Sequence, residues 1–440
     1  MRCLPGLLWV VPLFLVLLIP MAFALAADDD AAERTAAAMP ELQPLQTPMD
    51  FFPILPWEPL LGHDGAVDAI KVAAGIAECN FTMAGFVKPA DLPACEANGL
   101  KALVYGTANR GPLSRDEWKQ LSDEEIDAFF KQAVADAGNS EAILGYYLVD
   151  EPGAGMFAKL AVGVAAVKKY APGKLAYINL YPGYATIGAP DTSQLQTPSF
   201  HEYLERFVTE VRPQVISYDD YMVQYSMDLT VPGPAARYFT DLMEVRAVAR
   251  KYGLPFWNIV SGNQVRAKTT IPSPANLALQ AYTTLAAGGR GVTWYTYSSR
   301  GYGYAAIDKQ GNRTMTYQYL QMVNRQVKTL GPIMTGLESK GVYFTAPAPM
   351  ESAPVLPGEF VSALKSDAPA MIGEFVSPEG TAYVMVVNLS LQKSSKIALD
   401  LQTGHQGATV ISAEDGSELQ MEEGNALWLT AGQGALLKLR

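Results

Sequence analysis

The stretch AILGYYLVDEP, residues 142–152, is an uninterrupted apolar and aromatic run that stops at Asp150, Glu151 and Pro152. A short run of this kind, without alternation of polar and apolar residues, is typical of a strand that is buried on both faces of a parallel sheet. Proline ends strand pairing because it lacks a backbone N–H group. The stretch therefore predicts a buried parallel strand that ends on two adjacent carboxylates.

Similar short apolar strands recur along the chain, and each is followed by a segment with helical periodicity. The eight predicted strands are residues 49–57, 80–87, 100–106, 142–150, 175–181, 214–221, 254–262 and 291–297. Among the helical segments, Ser122 and Glu125 form a capping box ahead of Ile126. This pattern predicts an α/β fold, a (β/α)8 TIM barrel. No G-x-G-x-x-G motif follows the first strand, so a dinucleotide-binding sheet is not supported.

The pattern changes after about Pro332, where short alternating strands are separated by Gly, Pro, Asp and Asn. No helical period appears between them. We therefore predict a catalytic barrel at residues 49–334, followed at residues 335–440 by a small all-β sandwich with a structural role. Residues 27–48 show no periodicity and are interpreted as a linker.

The first residues of the chain have the character of a targeting segment. Arg2 precedes a long apolar stretch, which ends at Ala24-Leu25-Ala26 just before three aspartates. This order is typical of a secretory signal peptide, predicted at residues 1–26. We expect a secreted or periplasmic protein without stable membrane insertion after cleavage. An uncleaved anchor that tethers the chain to the membrane is the alternative.

Charge and composition argue against several classes of partner. The formal net charge is -11, and no run rich in Lys or Arg occurs. Nucleic acid is therefore not an expected partner, because phosphate binding needs clustered cations. The histidines His63, His201 and His405 are dispersed, so neither a metal site nor a cofactor is predicted. Cys79 and Cys95 could pair in an oxidising compartment or remain small buried thiols.

Carboxylates occur at the ends of two predicted strands. Asp150 and Glu151 end the fourth strand, and Asp219 and Asp220 end the sixth. In a TIM barrel the carboxyl ends of the strands carry the catalytic residues, so we expect these four residues to be catalytic. The alternative is that such an acid only caps the next helix. Because adjacent strand residues face opposite sides, the sequence leaves open whether Asp219 or Asp220 points inward.

Aromatic, amide and arginine side chains accompany these acids at the other strand ends. The candidate substrate-binding residues are Trp57, Asn179, Tyr181, Tyr218, Tyr221, Trp257, Asn258, Trp294, Tyr295, Tyr297 and Arg300. Aromatic faces stack on the CH groups of sugar rings, while acids and amides bind hydroxyl groups. We therefore expect an oligo- or polysaccharide substrate.

Hydrolysis of an O-glycosidic bond needs a carboxylic acid that protonates the leaving oxygen. It also needs a second group that stabilises or attacks the oxocarbenium-like centre. Glu151 is the expected general acid/base, because Glu reaches further than Asp and partial burial could raise its pKa. A sixth-strand aspartate, Asp219 or Asp220, is the expected second carboxylate. Asp150 is expected to orient Glu151 or to tune its pKa.

Several stretches resemble secreted bacterial barrel proteins grouped with the family 42 β-galactosidase-type catalytic domains. They are GYYLVDEPGA (145–154), LAYINLYP (175–182), VISYDDY (215–221), PFWNIVSG (255–262) and LQAYTTLAAGGRGVTWYTY (279–297). The resemblance implies a retaining glycosidase whose acid/base corresponds to Glu151. The chain departs from that pattern, since Asp precedes the strand-four Glu where Asn is usual, and the seventh strand lacks the nucleophilic Glu.

The Asp-Glu-Pro sequence at the fourth strand also resembles substrate-assisted N-acetylhexosaminidases. That resemblance implies that Asp150 orients the acetamido group of the sugar, that this group attacks, and that Glu151 is the acid. No enzyme nucleophile is then needed. A third interpretation is a non-catalytic carbohydrate-binding barrel, which the missing seventh-strand Glu favours.

Overall fold

The computed structural model describes residues 42–48, 50–60, 68–186, 193–225, 233–421 and 424–440. The predicted signal peptide, most of the predicted linker and His63 lie outside these residues. Within the described ranges, no helix is long and apolar enough to cross a membrane.

A parallel β-sheet forms the centre of the fold. Within the described residues it has eight strands: β1 Ile54–Pro56, β2 Met83–Val87, β3 Lys101–Val104, β4 Ile143–Asp150, β5 Leu175–Leu180, β6 Ile216–Asp219, β7 Phe256–Ser261 and β8 Val292–Tyr295. Neighbours in the chain pair side by side, β1 pairs with β8, and a parallel bridge between Pro59 and Phe86 closes the ring. The predicted TIM barrel is confirmed, and every strand falls within its predicted segment.

Helices surround the barrel. Those in the described part of the chain are α1 Ala69–Glu78, α2 Leu92–Ala97, α3 Arg115–Gln120, α4 Asp123–Ala137, α5 Phe157–Tyr170, α6 Phe200–Arg206, α7 Pro234–Tyr252, α8 Pro274–Ala286 and α9 Met315–Thr335. The predicted capping box is present at α4, where Ser122 accepts from the Glu125 backbone and the Glu125 side chain accepts from the Ser122 backbone. It satisfies backbone donors that have no partner inside the helix.

The C-terminal region is the predicted all-β sandwich. Its described strands are β9 Glu338–Phe344, β10 Val361–Ser366, β11 Ala370–Val376, β12 Ala382–Asn388, β13 Ser395–Leu401, β14 Ala408–Ile411, β15 Glu418–Gln420, β16 Ala426–Leu429 and β17 Gly434–Leu439. They form a six-stranded sheet, ordered β15-β14-β17-β12-β11-β9, and a three-stranded sheet, ordered β10-β13-β16. Apolar residues of both sheets, such as Val361, Val384 and Ile397, pack between them.

The helix α8 packs between the barrel and the sandwich. It contacts β7 of the barrel on one side and β11, β12 and β17 on the other. Every residue from Asn276 to Ala286 is buried, as expected for a helix covered all round. A Cβ atom on Gly373 would lie 2.1 Å from the Ala286 carbonyl oxygen, so only glycine allows this close approach.

Candidate active site

The two adjacent carboxylates lie at the mouth of the barrel, where β4 ends. Asp150 is the last residue of β4, and Glu151 follows it in the left-handed region with a φ of 48°. That conformation is uncommon for a residue other than glycine. The Glu151 backbone N–H donates to the Asn179 carbonyl oxygen at 2.8 Å, which fixes the turn. Because the chain leaves the strand at this turn, both side chains can face the same mouth.

Asn179 links the acids of two different strands. Its Nδ2 atom donates to Asp150 Oδ1 at 2.9 Å and to Asp219 Oδ1 at 3.0 Å. The Asn179 side chain is buried, and Ser217 Oγ donates to its Oδ1 atom at 3.4 Å. One amide nitrogen therefore holds the carboxyl groups of β4 and β6 side by side.

Burial raises the pKa values of both linked aspartates, and repulsion by neighbouring acids adds to the rise at Asp219. Burial raises the pKa of Asp150, while the Asn179 hydrogen bond and the charge of Arg115 oppose this rise. Burial and then the charges of Glu151 and Asp150 raise the pKa of Asp219 well above its usual range. Only 2% of Asp219 is exposed, which is why burial is the main cause of this rise.

Glu151 is more accessible than the aspartates. Its side chain is 30% exposed. Burial, followed by the charge of Asp150, raises its pKa to about 7, and Arg115 opposes the rise. A carboxyl group with this pKa exists in both protonation states near neutral pH, as a general acid/base requires.

Arg115 completes this arrangement, and sequence reasoning missed it. It is the first residue of α3, whose start is fixed by a capping box between Ser114 and Glu117. Arg115 Nη1 donates to the Tyr181 hydroxyl at 2.9 Å, and Nη2 donates to the Asp150 carbonyl oxygen at 3.0 Å. Its position inside a helix after the third strand gives no signal in the sequence.

Tyrosines form a wall beside the acids. The rings of Tyr221 and Tyr295 stack with centroids 5.2 Å apart, and the Tyr295 hydroxyl donates to the Tyr302 hydroxyl at 2.7 Å. Tyr105 and Tyr147 continue the wall, with ring centroids 5.2 Å apart. The sequence predicted Tyr221 and Tyr295 as binding residues but missed the other three.

A cavity of about 1000 Å³ lies next to this wall. Its lining includes Glu58, Tyr295, Arg300 and Tyr302, so the predicted residue Arg300 lies at the mouth. Burial raises the pKa of Glu58 to about 7, although two hydrogen bonds from Ser298 oppose the rise. The cavity has the size of a small-ligand site.

Four predicted site residues lie in the layer between the barrel and its helices instead of at the mouth. Asp220 faces Asp241 of α7, Tyr218 lies close to Tyr238 of the same helix, and Asn258 donates to Thr284 of α8. Trp294 donates to Asn324 of α9. The physical reason is strand alternation, which turns every second side chain outward. Tyr297 lies beyond the end of β8, where it packs edge-on against Phe81 and lines the same cavity as Tyr295 and Arg300.

Trp57 and Trp257 lie inside the barrel. Trp57 packs edge-on against Phe86, and Trp257 packs against Tyr177 with ring centroids 5.5 Å apart. Trp257 is only the second residue of β7, which continues to Ser261. It therefore lies near the end of the strand opposite the mouth, and its expected position at the mouth was wrong because Trp257 belongs to the start of the strand and not to its carboxyl end.

Nothing in the described part of the chain forms a group of three His, Cys, Asp or Glu residues arranged to hold a metal ion. Cys79 and Cys95 are both buried free thiols, so the open question of pairing is answered against a disulfide in this structure.

No protein-family model matches the chain, and no curated protein matches it. Solved structures do resemble it. A catalytic mutant of a GH42 β-galactosidase from G. stearothermophilus matches 90% of this chain and 100% of its own length, with 9% identity and a TM-score of 0.60. A family 5 glycoside hydrolase from Bacteroides vulgatus matches 88% of this chain and 89% of its own, with 12% identity and a TM-score of 0.53.

An Anoxybacillus α-amylase is a third similar structure. It matches 90% of this chain and 99% of its own, with 10% identity and a TM-score of 0.52. At this level of identity the likeness is one of fold. The chain thus shares the barrel and the following β-domain with glycoside hydrolases of several families.

Proposed function

We propose that this protein is a glycoside hydrolase in which Glu151 is the general acid/base. One observation carries the proposal: a partly exposed carboxyl group with a pKa of about 7 lies at the barrel mouth, beside the half-buried Asp150 of β4 and the buried Asp219 of β6. The shared fold with glycoside hydrolases supports it. An isolated acid among aromatic residues would instead have favoured a binding protein.

In the leading form of the mechanism, protonated Glu151 donates its proton to the leaving glycosidic oxygen. Asp219 is the second carboxylate, because it faces the mouth whereas Asp220 faces α7. In its ionised form, Asp219 would stabilise the oxocarbenium-like centre by its negative charge. The tyrosine wall and the adjacent cavity would bind the rings and hydroxyl groups of an oligo- or polysaccharide.

One observation favours the substrate-assisted form. Asp219 is almost fully buried and its pKa is strongly raised, so it is a poor nucleophile in this state. Asp150, held by Asn179 next to Glu151, could instead orient an acetamido group that attacks the sugar carbon. Both forms assign the same role to Glu151.

Trapping with 2-deoxy-2-fluoro glycosides separates the two forms. A two-carboxylate enzyme that forms a covalent intermediate is labelled at Asp219, and mass spectrometry of the digested protein locates the label. A substrate-assisted enzyme is not labelled and hydrolyses N-acetylhexosaminides in preference to the parent hexosides. The Asp219→Asn variant is the control for labelling, and Asp220→Asn is the matched variant that should still be labelled.

We further propose that the protein works outside the cytoplasm, on the basis of the N-terminal segment that ends at Ala26. Expression of the whole chain in a bacterial host tests this. Recovery from the periplasm with Ala27 as the new N-terminus is the expected result, and an unprocessed chain in the cytoplasm would contradict it.

A further inference from the structure

A second cavity lies at the opposite end of the barrel from the acids, below β7 and β8. It measures about 480 Å³, and three arginines line it: Arg246 and Arg250 from α7, and Arg290 from the loop before β8. Its remaining lining includes apolar residues of the loop that leads into β7, such as Leu254 and Pro255. The size is within the range of small-molecule sites.

The charges of these arginines are only partly balanced by acids. Among the described residues, none of the three forms an ion pair with a carboxylate. Glu338, which also lines the cavity, pairs with Lys340 at 2.8 Å, and the charge of Arg250 adds only a smaller effect on its pKa. The cavity therefore carries an excess of positive charge in a protein whose net charge is -11.

Local structure explains Arg290 but not Arg246. Arg290 donates to the carbonyl oxygens of Met334 and Leu337, at the C-terminal end of α9, where a cation is favourable. Arg246 is 9% exposed and donates from Nη2 to Ser339 Oγ at 3.0 Å, while its buried Nε atom has no partner among the residues that the structure describes. Burial and the neighbouring charge of Arg250 lower the pKa of Arg246 to about 10.

A buried guanidinium with an unsatisfied donor and a second cation beside it is unfavourable unless an anion compensates for it. Guanidinium groups bind phosphate and sulfate well, because their planar donors match the geometry of the oxygens. Arg250 is exposed, and among the described residues its one hydrogen bond runs from Nη1 to the Lys340 carbonyl oxygen at 2.8 Å, so other donors remain available for a ligand.

We propose that this cavity is an oxyanion-binding site, in which Arg246 and Arg250 bind a phosphate or sulfate group, either free or as the monoester of a small molecule. The apolar part of the lining would accommodate the organic portion of an ester. The site is independent of the acids at the mouth and does not rest on the proposed glycosidase activity.

Thermal unfolding of the intact protein tests the proposal, with inorganic phosphate in one series and phenyl phosphate in the other. Ionic strength is held constant with chloride, and isothermal titration calorimetry gives the affinity. We expect a saturable rise in Tm in at least one series, because a ligand that binds only the folded state stabilises it. Tighter binding of inorganic phosphate would indicate a site for the free anion, and tighter binding of phenyl phosphate would indicate a site for a monoester.

Three variants make the test specific. Arg246→Gln and Arg250→Gln should weaken binding at least tenfold, and Arg250→Gln decides the outcome if the more buried Arg246→Gln does not fold. Arg206→Gln is the matched control. It removes a surface arginine of α6, which does not line the cavity and pairs with Glu210. A Tm that rises without saturation, or that rises equally in Arg250→Gln, would overturn the proposal.

Discussion

Arg115 Nη2 lies 3.6 Å from Glu151 Oε2, although the two residues belong to different βα units of the barrel. The Tyr181 hydroxyl and the Asp150 carbonyl oxygen hold the guanidinium in place. Its charge therefore acts on the group that is proposed to donate the proton. Glu151 lies between two opposing influences, since Arg115 lowers its pKa and Asp150 raises it.

Arg115→Gln should move the alkaline limb of the pH–rate profile to higher pH. Without the cation, the pKa of Glu151 rises above about 7, so the acid stays protonated further into the alkaline range. Because Arg115 is about half exposed, we expect a shift of less than about one pH unit. The measurement is kcat/KM against pH. Arg110→Gln is the control, since it removes only the ion-pair partner of Glu117, and it should leave the profile unchanged. A shift of the Arg115→Gln profile to lower pH would contradict this account.

Asp150→Asn should move the same limb in the opposite direction. Removing the negative charge lowers the pKa of Glu151, so the acid loses its proton at a lower pH. The Asn side chain can still contact Asn179, which keeps the geometry close to that of the wild type. If Asp150 also orients an acetamido group, kcat on N-acetylhexosaminides should fall about 10²-fold or more, while KM changes little. An alkaline limb that stays in place would show that Asp150 does not act on Glu151.

The barrel was predictable because its strands are buried on both faces and therefore read as continuous apolar runs. The strands β15 and β16 have only three and four residues, ELQ and ALWL, which is too short for an alternation of apolar and polar residues to reveal them. In the site, the position of Glu151 followed directly from the end of β4. The choice between Asp219 and Asp220 did not, because only the strand register decides which one faces inward.

The same limit applies to the aromatic residues. Tyr295 faces the mouth, whereas its neighbour Trp294 donates to Asn324 in the helical layer. Arg115 and Tyr302 come from a helix and a loop, so no strand pattern points to them. Positions that depend on alternation or on tertiary contacts were therefore beyond sequence reasoning.

Asp220→Asn should make stability less dependent on pH. Within the described part of the chain, Asp220 Oδ2 is buried without a donor partner and Asp220 faces Asp241, so a proton on Asp220 supplies the missing hydrogen bond. Burial raises the pKa of Asp241 from 3.8 to about 6, and it raises that of Asp220 well above its usual range. A group whose pKa is raised in the folded state stabilises the protein fully when the pH is below its pKa in the unfolded chain, near 3.8. This stabilisation is lost as the pH rises through the pKa of the folded state.

Urea unfolding at about pH 4 and about pH 7.5 measures this effect. Each unit of pKa shift corresponds to about 1.4 kcal/mol. Between these two pH values, the free energy of unfolding of the wild type should therefore fall by at least about 1 kcal/mol more than that of Asp220→Asn. Asp116→Asn, at an exposed position on α3, is the matched control and should follow the wild type. Equal losses in Asp220→Asn and the wild type would mean that the buried pair does not hold a proton.

The most direct test of the central claim compares the wild type with Glu151→Gln on a panel of aryl glycosides. The panel contains galactosides, glucosides, glucuronides and N-acetylhexosaminides, and Glu124→Gln on the exposed surface of α4 is the control. We predict that Glu151→Gln keeps the wild-type Tm but loses about 10²- to 10⁴-fold in kcat, as expected when a general acid is removed. Turnover that persists in folded Glu151→Gln would contradict the assignment of Glu151 as the acid/base.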